Sequence, residues 1–378
     1  MNNLPNLFVI VKKIKIYRLR WLIRRIKQEL RYPSYSVGRV IAVRVESFRV
    51  LLRRLYRPRI VDKHSEHQVV VWDFNNKPAT FDFAPFLAHA ETFARNNGKE
   101  TLFVYFVMNK GNESLGENSY DDIVDKDSQK WRFNNIIIPL VNVYPACVGY
   151  SVLSKGASIT PYLEAKSVFP EGYSDSFDPP ISDSEIYDAL ELNIFTGFKP
   201  STQSLRYIKK WHQSKGIKTP IVCITLRQYD YDKSRNSDIA AWVQFAAWVF
   251  ERGYTPVFIP DTDACWESSE LIDKYHVFNE GCWNLELRLA LYELAYVNYF
   301  YCNGCAYLAT LSRTIRYIVM MPTIEGSLQS GPHVNEAYGW SEDQRREKFA
   351  EDYQFLSFKT DSFENIRDEF LEFIAVNG

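Results

Sequence analysis

Pro220-Ile221-Val222-Cys223-Ile224-Thr225-Leu226, followed by the polar loop Arg227–Ser237 and the segment Asp238–Arg252 closed by Gly253, is the stretch on which the fold turns. An unbroken apolar run of this length between turn signals predicts a strand buried on both faces, as parallel sheets require. The longer segment after it, ended by glycine, predicts a helix. The pattern then repeats. Thr255–Pro260 predicts a strand ending on Asp261-Thr262-Asp263, with a helix near Glu267–Lys274 and another over Asn284–Tyr296. Val297–Cys302 predicts the next strand, Asn303-Gly304 a turn, Ala306–Ser312 a helix and Ile315–Met321 a strand. Such alternation predicts a doubly wound, Rossmann-like domain over residues 215–325, whose strand ends form a phosphate- or nucleotide-binding crevice.

Working toward the N-terminus, Val69–Phe74 predicts a buried strand, Phe83 to Phe93 a helix ending at Asn97-Gly98, and Thr101–Val107 a second strand. Strand, helix, strand is a βαβ unit with a right-handed crossover. A helix about Tyr120–Arg132 and a strand Asn135–Pro139 extend it, and residues 156–200 read as irregular. A length of 378 residues exceeds what one core usually supports. The expected organisation is α/β, two Rossmann-like domains at 63–200 and 201–378, preceded by a basic amphipathic helical hairpin at 1–62.

That hairpin carries the charge asymmetry of the chain. Residues 1–60 hold sixteen Lys and Arg against Glu29 and Glu46, a balance of +14, so a total of −1 leaves −15 on the remainder. Leu19, Leu22, Ile23, Ile26 and Leu30 share one helical face, and Val37, Ile41, Val45, Phe48, Leu52 and Leu55 share another beyond the Tyr32-Pro33-Ser34 break. Apolar stripes flanked by bases predict association with an anionic membrane surface through residues 7–57; packing of the stripe on the body is the alternative. Nucleic acid is not expected, since no module signature accompanies the bases. Six scattered cysteines fit reduced thiols, and no run is long enough to span a bilayer, so the expected location is cytoplasmic, peripheral at the inner membrane face.

Two strand-to-helix turns carry the chemistry. Arg227 leaves one strand end while Arg235, Asn236 and Ser237 stand at the next helix entrance, where open amides favour an anion. Two guanidinium groups there can clamp a diphosphate, with Thr225 at the strand end beneath them. The competing reading pairs Arg235 with Asp230 or Asp232 on the surface. At Tyr301-Cys302-Asn303-Gly304-Cys305-Ala306, Asn303 and Gly304 allow a ligand close to the backbone. Cys302 and Cys305 form a CxxC without the second pair that zinc wants. In the first half Asp73 is the candidate general base, with a turn role as its alternative; Asp82 reads as a helix cap and His89 as a core histidine.

The run NLELRLALYELAYVNYFYCNGCAYLATLSRTIRYIVMMP resembles the last nucleotide-binding segment of GT-B fold glycosyltransferases, most like the heptosyltransferase type, and the loop with Arg227 resembles the diphosphate-binding turn of that superfamily and of fucosyltransferase-like members. The likeness covers about residues 220–321. It implies a nucleotide-sugar donor on the C-terminal half, as substrate rather than cofactor, and a glycan or lipid-linked acceptor on the N-terminal half. Heptosyltransferase-like proteins place an acidic residue, a hydroxyl, Gly, Pro and His at the second turn, where this chain has Cys302, Asn303, Gly304, Cys305 and Tyr307. The implied activity is transfer of a sugar to a cell-surface polysaccharide or lipid-linked glycan, with no metal and with Asp261 on sugar or ribose hydroxyls. Two alternatives stand beside it: a catalytically silent membrane-associated assembly protein, and a metal-dependent GT-A-type transferase using Asp261 and Asp263 as a DxD. Asp125/Asp127 and Asp230/Asp232 share that spacing, so it is a weak signal.

Overall fold

The computed structural model describes residues 26, 40–45, 48, 66–108, 124–153, 158–159, 168–230, 232–266, 274–327 and 330–377. Residues 26, 40–45 and 48 are helical; the rest of the expected hairpin lies outside the described residues. Among the described residues, no helix is long and apolar enough to cross a membrane.

The chain divides into two compact units. One comprises residues 1–78, 93–126 and 146–182, and the other residues 79–92, 127–145 and 183–378. Segments 79–92, 127–145 and 183–200, which the sequence groups with the first half, thus cluster with the second.

The first unit holds a parallel sheet of β1 (Gln68–Asp73), β2 (Leu102–Val107), β3 (Cys147–Leu153) and β4 (Val168–Phe169), in the order β3-β2-β1-β4. Helix α1 (Phe83–Asn96) links β1 to β2, which pair in parallel from Gln68 with Leu102 to Asp73 with Val107, as a βαβ unit demands. Val69, Val71, Val107, Ile159, Val168 and Tyr173 form a buried cluster on one face.

The second unit is built on six parallel strands: β5 (Ile221–Thr225), β6 (Thr255–Ile259), β7 (His276–Val277), β8 (Val297–Tyr301), β9 (Tyr317–Met320) and β10 (Gln354–Ser357). Their order, β10-β9-β8-β5-β6-β7, is the doubly wound order 3-2-1-4-5-6 with β5 as the first strand. The direction of winding reverses between β5 and β8, so their carboxyl ends flank the topological switch point. Along the chain the helices are α2 (Lys126–Arg132), α3 (Ile138–Asn142), α4 (Asp183–Glu191), α5 (Thr202–Ser214), α6 (Ile239–Phe250), α7 (Glu280–Trp283), α8 (Leu285–Leu294), α9 (Tyr307–Thr310), α10 (Pro332–Tyr338) and α11 (Phe363–Asn377).

Helix α6 shows why the decisive stretch folds as it does. Asp238 accepts from the amides of Ala240 and Ala241 at 3.1 and 3.2 Å, Ala241, Trp242, Phe245 and Val249 recur at helical spacing on the buried face, and Gly253 at φ 83° ends the run. Phe245 meets Tyr299 of β8 and Phe370 of α11 edge to face at 5.1 and 5.7 Å, joining α6 and α11 to one face of the sheet. Truncating such a ring to Ala costs about 3–5 kcal/mol.

Three readings are corrected. The expected strand Asn135–Pro139 is a π-helical turn (Phe133–Ile137) running into α3; a short apolar run such as Ile136-Ile137-Ile138 does not distinguish strand from buried helix, and Ile136, Ile137, Leu140 and Val141 are buried at helical spacing. Residues 156–200 contain β4 and α4 rather than irregular chain alone. Strand β3 was not foreseen, because its exposed positions Val148, Tyr150 and Val152 are apolar and remove the alternation that marks a half-buried strand. The helix expected near Glu267–Lys274 lies almost wholly outside the described residues.

Candidate functional site

In the second unit, the loop after β5 closes on itself at its neck. The Arg227 amide donates to Ser237 Oγ at 2.9 Å, and the Ser237 amide returns a bond to the Arg227 carbonyl at 2.9 Å. The Arg227 guanidinium lies almost wholly inside this loop, donating to the Asp232 carbonyl at 3.0 Å and to Asn236 Oδ1, which also accepts from the Tyr229 amide at 3.1 Å. Asp232 holds a left-handed backbone, φ 56°, which turns its carbonyl toward Arg227. Burial, and then the neighbouring Arg235, lower the Arg227 pKa, while Asp261 opposes the shift. The positive charge of Arg235 thus disfavours that of Arg227, an arrangement an anion relieves.

Among the described residues Arg235 makes no ion pair with Asp230 or Asp232, the surface pairing of the competing reading. Lys233 takes Asp230 at 2.8 Å, and Asp232 accepts the hydroxyls of Ser234 and Ser327. Arg235 instead crosses to the loop after β8 and donates Nη2 to the Cys302 carbonyl at 2.7 Å. Its Nε is buried and has no hydrogen-bond partner among the described residues. Cys302 also sits at positive φ, 46°, so two of the three non-glycine residues with left-handed backbone among those described flank this one crevice. Such strain costs about 1–3 kcal/mol and concentrates at functional sites.

Asn303 ties the two loops together, donating Nδ2 to the Thr225 carbonyl at 3.3 Å and accepting from Cys305 Sγ at 3.2 Å. Gly304 differs from its expected role: a Cβ there would meet Phe81 at 3.1 Å, so an aromatic side chain, not a ligand, lies against it. The open amides expected at the entrance to α6 are likewise taken, because Asp238 caps them and its own amide donates to Asp361 at 2.8 Å.

Asp261 accepts from the amides of Gln228 at 3.2 Å and Thr262 at 2.7 Å, so it staples the loop after β6 to that after β5. Burial raises its pKa against those amides and against Arg288 and Arg227. Asp263 of the DxD is exposed, and among the described residues no group of three or more His, Cys, Asp or Glu is placed to hold a metal. Cys302 and Cys305 are free, buried thiols, with burial pushing both pKa values up. Arg288 escaped notice in the sequence. It is buried on α8 and donates Nε to the Gly281 carbonyl at 2.6 Å, and its one signal was a lone charge within Leu287-Arg288-Leu289-Ala290-Leu291.

The first unit, taken by itself, places Asp73 at the carboxyl end of β1, fully buried. Its carboxylate accepts from the amide and side chain of Asn75 and from Tyr173 Oη at 3.0 Å. This is the turn role named as its alternative. Beside it Asp178, 1% exposed, pairs with Lys77 and accepts from Asn76, while its Oδ1 has no hydrogen-bond partner among the described residues. Burial raises the Asp178 pKa, with Lys77 opposing. Asp178, Lys77 and Tyr173 carry no motif, because they meet only across about a hundred residues of chain.

No family model matches the chain, and no curated protein does. Among solved structures it is similar to the ADP-heptose LPS heptosyltransferase II of E. coli, at 11% identity and TM-score 0.42 over 82% of this chain and 98% of that one. It is similar to a glycosyl transferase family 9 protein from Veillonella parvula, at 9% identity and TM-score 0.38 over 74% and 86%. It also overlaps fucosyltransferase NodZ from Bradyrhizobium, at 11% identity and TM-score 0.29 over 66% and 94%. All three are glycosyltransferases; at identities of 9–11% and TM-scores below 0.5 these overlaps assign this chain neither a family nor a site.

Proposed function

We propose that the chain is a GT-B-type glycosyltransferase that moves a sugar from a nucleotide-sugar donor to a cell-surface polysaccharide or lipid-linked glycan. One observation carries this reading: at the switch point between β5 and β8, Arg227 and Arg235 converge on loops held by two left-handed residues, Asp232 and Cys302. In this proposal the two guanidinium groups stabilise charge on the departing diphosphate, an electrostatic role worth several kcal/mol, with neither metal nor cofactor. Thr225, Asn236 and Ser237 shape the neck of the loop, and Asn303, which ties that loop to the one after β8, sets the donor's position. Asp261 keeps lone pairs for a hydroxyl beyond its two amides.

A thermal shift with UDP-, GDP-, ADP- and CMP-sugars tests the donor. A nucleotide present at 100 times its Kd adds about 2.7 kcal/mol of stability; no response to any of them removes the proposal. The silent assembly protein is a second reading, favoured by Asn236 on Arg227, Asp238 on the α6 amides and Phe81 over Gly304, which together occupy much of the crevice.

Residues 7–57 are proposed to hold the enzyme to an anionic membrane surface at the cytoplasmic face, consistent with the exposed Ile41 and Phe48 of their described part. Cosedimentation with phosphatidylserine vesicles, lost when these residues are removed and weakened by salt, is the expected result; equal sedimentation of the truncated chain excludes it.

A further inference from the structure

Beside the crevice, the chain beyond the carboxyl ends of β5, β6 and β7 presents an aromatic side chain each time: Tyr229 and Trp266 on loops, and Trp283 as the last residue of the short helix α7. Trp266 is 76% exposed and Trp283 45%, a large apolar surface to leave open at strand ends. The group is held in place. Trp283 donates Nε1 to Cys265 Sγ at 3.1 Å and meets Trp131 of α2 edge to face at 5.4 Å. Arg132, next on α2, donates to Tyr229 Oη at 3.1 Å, and the Tyr229 ring lies 6.0 Å from the Arg227 guanidinium. Asp261, on the same loop as Trp266, bonds the Gln228 amide and so fixes that loop to the crevice.

We infer that Trp266 and Trp283 form a stacking shelf for the base of a nucleoside diphosphate whose phosphates lie at Arg227 and Arg235. The inference rests on the donor reading above and adds to it the place of the base. Neighbouring strands are about 4.8 Å apart, so the ends of β6 and β7 lie one to two such spacings from the end of β5, within the span of a nucleoside. Exposed indole faces are sequence-tolerant stacking surfaces because every base has a π face. Arg132 and Tyr229 stand at the shelf's inner edge, where they offer donors to a base or ribose oxygen.

The test compares inorganic pyrophosphate with UDP, GDP, ADP and CDP by calorimetry and tryptophan fluorescence on the full chain. At least one nucleoside diphosphate should bind about tenfold or more tighter than pyrophosphate and quench the fluorescence. Trp266→Ala and Trp283→Leu should each weaken that nucleotide about 5- to 100-fold, the usual effect of losing a stacking ring, and leave pyrophosphate within about twofold. Trp283→Phe should restore most of the loss. Because Trp266 is so exposed, its replacement leaves the fold intact, checked by an unchanged melting temperature. Pyrophosphate binding with no gain from any base, or a gain that survives both substitutions, overturns the shelf and leaves the crevice reading standing. Failure of pyrophosphate and every nucleotide to bind overturns the crevice reading and the shelf with it.

Discussion

The two units each gather buried charge at the carboxyl end of a parallel strand, and they treat it in opposite ways. At the end of β1 the charges are carboxylates closed in by donors: Asp73 by Asn75 and Tyr173, Asp178 by Lys77 and Asn76. At the ends of β5 and β8 they are the guanidinium groups of Arg227, whose charge Arg235 disfavours, and of Arg235, with its Nε left without a partner among the described residues. Removing one partner of a buried charge pair is costly, because the other charge is left uncompensated. Like charges held together by strained backbone are instead prepared for a ligand of opposite sign. The contrast teaches that topological position alone does not assign a role; the sign and spare bonding capacity of the buried groups do.

The comparison breaks first on stability. Asp178→Ala should cost about 3–5 kcal/mol in urea unfolding, because it strands the Lys77 ammonium, whereas Arg235→Ala should cost under about 1 kcal/mol or raise stability by relieving repulsion. Equal losses would mean that both sites are structural. Next in size is binding. Arg227→Ala and Arg235→Ala should each lower turnover or diphosphate affinity at least about tenfold by removing charge stabilisation. Arg227→Ala should add about 1–3 kcal/mol of destabilisation, since Asn236 Oδ1 and the Asp232 carbonyl each lose a donor. Unchanged affinity in Arg235→Ala would reject the clamp.

Smaller is the effect of pH. The Asp178 carboxyl is held above its ordinary value of 3.8 by burial, with Lys77 opposing. The folded protein therefore holds this proton more tightly than the unfolded chain. The stability it supplies is complete below that ordinary value and is lost as pH rises through the raised one. The urea midpoint should fall with rising pH over this window, less steeply in Asp178→Asn; identical slopes would show that the group does not titrate there. Smallest is Cys302→Gly. Relief of the left-handed backbone and the extra freedom of the unfolded glycine nearly cancel, so the melting free energy should move by about 1 kcal/mol or less. A larger loss would place the Cys302 side chain, rather than its turned carbonyl, at the centre of the crevice.

Much of this was legible in residue order. The strand, loop and helix at Pro220–Gly253 follow from an apolar run, a polar interval and a capped helical pattern, all local properties. Arg227 was legible as a strand-end cation for the same reason. The destination of Arg235 was not, because its acceptor, the Cys302 carbonyl, lies 67 positions away and is turned by a backbone angle that no side chain advertises. Gly304 marked a close approach correctly, yet composition does not tell a ligand from Phe81. The false strand at Asn135–Pro139 has its cause in length, since a run as short as Ile136-Ile137-Ile138 satisfies a buried helix as well as a strand.

By itself, then, the sequence determined the α/β alternation, the parallel sheets and the stretches at which strand ends would carry charge, because these depend on periodicity and on residues near in the chain. Tertiary structure alone decided the strand order that puts β5 beside β8, the meeting of Arg235 with Cys302, the caging of Asp73 by Tyr173 and the pairing of Asp178 with Lys77. The physical reason is that hydrogen bonds and electrostatic coupling depend on distance in space. Folding sets those distances between residues a hundred positions apart, and nothing local encodes them.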